Sequence, residues 1–119
     1  MQSLISLVIL ALALWGNPRH VPVTIEYYEV DIGVGAQAGL LPDSCLIGVH
    51  RSSFDARPQY EQLSIITHEV GHCLGLNHYG DCNSNRSIMG CAVLGYVTDY
   101  DRFMLGPKYK LIVGPWTYD

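Results

Sequence analysis

The spacing of hydrophobic positions changes along this chain, and each change predicts an element. Leu4 to Trp15 is an unbroken apolar run without a charge. Val21 to Val30 alternates apolar with polar or amphipathic residues and is rich in β-formers, so it predicts a half-buried strand. Gly33, Gly35 and Gly39 then interrupt a small-residue stretch through Leu41, which suits close backbone approach or a flexible loop about equally. Pro42 and Asp43 mark a turn, and Cys45 to His50 reads as a further strand. From about Pro58 to Leu76 the period lengthens to that of a helix. With Leu63 at 0° on a helical wheel, Ile66, Val70, Cys73 and Leu74 fall within about 80° of it, whereas His68 and His72 fall near 140° and 180°. Pro58 suits a first turn, and Ser52, Ser53 and Asp55 offer caps nearby. Leu111 to Trp116 reads as a terminal strand or a packed tail.

The face opposite the apolar stripe carries the chemistry. His68 to His78 has the form HExxHxxGxxH and holds three of the five histidines. Two histidines four residues apart lie about 40° apart around a helix, so both imidazoles project toward one point and form a clamp for a metal. Glu69 sits at the edge of that face, where it reaches a water on the metal without being a ligand, the position of a general base. Gly75 falls where the helix should stop, because a residue without Cβ takes the left-handed conformation that turns the chain. The turn brings His78 back as third ligand. Three neutral imidazoles leave a tetrahedral zinc, Zn2+, with one open position, as in catalytic sites. Such a metal polarises a carbonyl and makes water acidic, while Glu69 takes the proton and hands it to the leaving amine.

Composition narrows the picture. A chain of 119 residues that is 49% apolar indicates one domain with a real core, small for an enzyme. A net charge of −4, with no basic run and no phosphate-cradling glycine loop, gives no reason to expect nucleic acid as a partner. Leu4 to Trp15 is too short to span a bilayer comfortably. Its flanks and the Ala11-Leu12-Ala13 sequence favour a secretory signal over residues 1–16, with a buried N-terminal helix as the alternative. Residues 17–119 then form the working domain, as a secreted monomer. The four cysteines, Cys45, Cys73, Cys82 and Cys91, are an even count in a small chain, which favours disulfides. Three pairings are open; the expected one joins Cys45 to Cys73, tying a strand to the core flank of the helix, and Cys82 to Cys91. His50 reads as a surface or loop histidine, since the ligand set is complete without it.

The HExxHxxGxxH stretch resembles the zinc motif of the metzincin peptidases, and Ser87-Ile88-Met89-Gly90 is similar to the methionine-bearing turn that lies beneath the metal in that clan. Met89 is the matching methionine. Thr98-Asp99-Tyr100-Asp101 and the residues through Leu105 are similar to the capped C-terminal helix of matrixin-like members. The resemblance covers the second half of the chain well and the first half loosely. It implies that an edge strand pairs with extended polypeptide substrate, and Gly35, Ala36, Gln37, Ala38 and Gly39 fall where that strand would be. It does not carry over calcium sites or a latency propeptide, for which the chain has no matching residues. The fold class expected is α+β, zincin-like: a small twisted mixed sheet over one long helix, then the methionine turn and a short C-terminal helix. The expected function is a zinc endopeptidase. The alternatives are a zinc-binding but idle domain, or a lytic hydrolase of cell-wall peptides.

Overall fold

The computed structural model describes residues 3–80, 84–108 and 116–118. Helix α1 (Leu4–Leu14) starts where the Ser3 hydroxyl oxygen accepts the Ser6 N–H at 3.1 Å. It buries Leu7, Val8 and Ala11, followed by Trp15, and leaves Ile5 and Ile9 exposed. The apolar run is a helix with one side in the core. Among the described residues no helix is long and apolar enough to cross a membrane.

Strands β1 (Val23–Tyr28), β2 (Ala36–Leu40) and β3 (Cys45–His50) make a mixed sheet, which β4 (Trp116–Tyr118) extends in the order β1-β3-β2-β4. β3 runs parallel to β1, with Val23 opposite Cys45, and antiparallel to β2, with Leu40 opposite Cys45. The alternation along β2 and β3 sends Ala36, Ala38, Leu40, Cys45, Ile47 and Val49 into the core. The small residues of β2, read as either strand or loop, are strand. Their size lets α3 lie close beneath.

Two expectations are corrected between the sheet and the long helix. Ser52, Ser53 and Asp55 are not its caps; they belong to a separate short helix, α2 (Arg51–Asp55), which plants Phe54 in the core. Helix α3 (Gln59–Cys73) is shorter than the 58–76 pattern and begins after an extended Pro58 with no side-chain cap. Its apolar stripe, Ile66, Val70, Cys73 and Leu74, is fully buried. α3 packs against β2, β3 and α1. The Trp15 indole N–H donates to the Thr67 carbonyl at 3.0 Å. The disulfide Cys45–Cys73 joins β3 to the end of α3, as expected. Cys82 lies outside the described residues, and with it the expected pairing to Cys91. Helix α4 (Asp99–Lys108) follows the turn at Ser87–Gly90. The result is a small α+β domain. Of the terminal segment 111–116, only Trp116 is described, as the start of β4.

Candidate metal centre

The end of α3 explains how the third histidine returns. Gly75 has φ +95°. Its N–H donates to the His72 carbonyl at 2.9 Å and the Leu76 N–H to the Gly71 carbonyl at 3.0 Å, the paired bonds of a Schellman turn. A Cβ at position 75 would oppose that left-handed backbone. The turn carries the chain back over the helix, and one ring nitrogen from each of His68, His72 and His78 lies within 4.8 Å of the others. Ring centroids are 4.8–5.2 Å apart. These three residues can hold a metal ion.

The far side of two rings is fixed by backbone. His68 Nδ1 is 2.9 Å from the Ile88 carbonyl, and His72 Nδ1 is 2.7 Å from the Leu76 carbonyl. A carbonyl only accepts, so each Nδ1 carries the proton and each Nε2 presents a lone pair. The two Nε2 atoms face one another at 3.2 Å. Two lone pairs so close are reconciled by a proton or a metal cation between them, and holding both rings by carbonyls is how proteins orient metal-binding histidines.

Glu69 lies beside His68 in the sequence and is buried, 3% exposed. Two cavities meet at this centre. The smaller, about 220 Å³, is lined by His68 and Glu69 together with residues of α2, α3 and the segment after Met89. The larger, about 580 Å³, is lined by His68, His78, Tyr79 and Met89 but not by Glu69. Gly35 and Ala36 border both. Of the five residues read as a substrate strand, Ala38 and Gly39 pair with β4 as well as β3. The β4 register stops at Ala38, so Gly35 to Gln37 carry no described strand on that edge. Tyr28 donates to the Val34 carbonyl at 2.5 Å, at the rim of the larger cavity. Burial, then the charges of Asp31 and Glu69, push its phenol above the ordinary value, so it stays a donor at neutral pH.

Met89 lines the larger cavity together with His68 and His78. A Cβ on Gly71 would overlap the Met89 sulfur and press on the Trp15 ring, so the turn and the residue after α1 both rest on bare helix backbone. Asp101, 1% exposed, anchors the turn from α4: its carboxylate accepts from the Ser87 hydroxyl at 2.5 Å, the Ile88 N–H at 2.9 Å and the Thr98 N–H at 3.0 Å. The Thr98 hydroxyl accepts the Asp101 N–H at 3.1 Å, completing a capping box. The Tyr79 N–H donates to the Met89 carbonyl at 2.9 Å and ties the third histidine's segment to the same turn. Sequence reasoning passed over Gly71, Trp15 and Asp101 as supports of the site. Thr98 and Asp101, three apart before an apolar run, were a readable capping signal for one of them; Gly71 had no local signal, because its neighbours come from distant segments. His50 is no ligand: its ring lies 2.9 Å from the Ser53 hydroxyl and 3.2 Å from the Glu29 carbonyl. Comparison with protein-family models, curated proteins and solved structures finds no match to this chain.

Proposed function

We propose that the protein is a zinc-dependent endopeptidase of metzincin type, with His68, His72 and His78 as ligands and Glu69 as general base. The observation that carries the reading is the convergence of three imidazoles beside a buried carboxylate at the junction of two cavities. Three imidazoles are a donor type suited to zinc, and the spacing of one pair matches. Ligand nitrogens about 2.0–2.1 Å from a tetrahedral ion sit roughly 3.3 Å from one another, close to the 3.2 Å between the Nε2 atoms of His68 and His72. Bound zinc supplies Lewis acidity, polarising a substrate carbonyl and making water acidic near neutral pH.

The chain's own groups do the rest. The Glu69 carboxylate takes a proton from the attacking water and returns it to the departing amine. The edge at Gly35 to Gln37, on which no described strand pairs beyond β3, would offer backbone groups to an extended peptide, which explains how one site holds many sequences. The carbonyls of Ile88 and Leu76 keep His68 and His72 in the binding tautomer. The Cys45–Cys73 disulfide is compatible with the oxidising compartment of a secreted protein.

The test is zinc content together with hydrolysis of a broad quenched-fluorescent peptide library, on wild type and Glu69→Ala. Zinc in both, with cleavage by wild type alone and loss to chelator, is the expected result. Zinc without any cleavage would leave only a metal-binding domain. Clearing of bacterial cells without peptide-library cleavage would turn the reading to cell-wall peptides, and absence of zinc would overturn the ligand set.

A further inference from the structure

The smaller cavity, about 220 Å³, is far larger than the ~30 Å³ one water takes in the liquid and is the size of a site for one long side chain. Its walls are mainly apolar: Phe54, Ile65, Ile88 and Val93. Ser64 and Arg57 are among the polar residues that interrupt them. Ser64 is buried, and its oxygen accepts the Leu94 N–H at 3.2 Å, which leaves its own proton to donate. Arg57 is the cavity's one lysine or arginine among the described residues. Its ionic partner is Glu61, at 3.9 Å, in a half-exposed pair of the kind that constrains a side chain weakly.

The cavity follows one flank of α3. Ser64 and His68, like Ile65 and Glu69, are successive-turn neighbours on that flank. Arg57 lies two residues before Gln59, from which α3 runs roughly 13 Å along its axis to His68 at 1.5 Å per residue. The cavity is thus lined both by His68 of the metal centre and by Arg57. Glu69 borders this cavity and not the larger one. A base that returns its proton to a departing nitrogen lies on that nitrogen's side of the cleaved bond, so this cavity belongs to the residue that follows the bond.

We infer that Arg57 is a specificity-determining residue that selects peptides with an acidic side chain, glutamate foremost, immediately after the cleaved bond. The inference rests on the peptidase reading above. The aliphatic stem of glutamate lies along the apolar walls, and its carboxylate meets the guanidinium, which matches a carboxylate with two parallel donors. Aspartate is shorter and falls short of the charge. Glutamine has the same shape without it.

The experiment uses peptides that differ only at the residue after the bond, carrying Glu, Asp, Gln, Leu or Lys. Binding is read by fluorescence polarisation on zinc-loaded Glu69→Ala protein, alone and combined with Arg57→Gln or Arg57→Glu; kcat/KM is read on the same Arg57 variants with Glu69 intact. Glu is expected to bind on the order of fivefold tighter than Gln, the scale of a half-exposed ion pair, with the preference shrinking at high salt. Arg57→Gln abolishes it, and Arg57→Glu turns it toward Lys. Equal binding of the Glu and Gln peptides, or a preference unchanged by Arg57→Gln, overturns the inference, as does binding of none of them. Binding that follows this pattern with no cleavage by the protein carrying Glu69 upholds the selection and sinks the peptidase reading, which separates the two failures.

Discussion

A bare backbone carbon at position 71 is where the metal centre is most exposed to a single added methyl. Gly71→Ala places a Cβ into Met89 and Trp15. Overpacking of this kind costs about 1–3 kcal/mol, more than the roughly 1 kcal/mol that alanine gains in helix propensity. A net loss of stability in urea denaturation is expected, partly recovered when Met89→Ala makes room. Asp101→Ala strands three donors that end on its carboxylate. A loss on the order of 3 kcal/mol is expected, with weaker zinc retention in competition with a chelator, because Ile88 also holds His68. Asp101→Asn keeps one acceptor oxygen and is expected to cost less. The convergence of the three histidines was legible because it follows from their spacing on a helix and past a glycine turn. Gly71 was not, because the reason for a glycine there lies in residues that meet it only after folding.

At the scale of elements, the disulfide between β3 and α3 spans a sequence separation of 28. Closing a loop of that length lowers the entropy of the unfolded chain by about 3.5 kcal/mol at 25 °C. Cys45→Ala with Cys73→Ala is expected to lose close to that amount, read as a shifted denaturation midpoint, with zinc still bound by the intact histidines. β3 was legible to the residue, since a turn at Pro42 and Asp43 precedes a short run rich in apolar residues. The long helix was read past its true end because Leu74 and Leu76 continue the apolar pattern, whereas the chain is already turning at Gly75. α2 was missed because five residues carry too little periodicity to separate a helical turn from a run of caps. The parallel pairing of β1 with β3, around a β2 that lies between them in sequence but outside them in space, has no local signature at all.

For the molecule as a whole, the N-terminal helix is part of the core. A chain beginning at residue 17 loses Leu7, Val8, Ala11 and Trp15 from it. Burying large apolar side chains contributes about 1.5–3 kcal/mol each, so the loss is on the order of 5 kcal/mol, comparable to the whole stability of many domains. Side-by-side denaturation of the two forms checks this; equal midpoints would show that α1 adds nothing. If the proposed zinc binds, at 100-fold excess over its dissociation constant it is expected to stabilise the fold by about 2.7 kcal/mol. That gain should vanish in His72→Ala, as followed by thermal denaturation with and without chelator. Trp15 reaches Thr67 across 52 residues and Ile88 reaches His68 across 20, and both Trp15 and Met89 close on Gly71. Contacts of such range form slowly, after the loops between them have closed. In a refolding experiment the capacity of the three histidines to hold a metal ion is therefore expected to be the last property to return, after helix content and after the burial of Trp15.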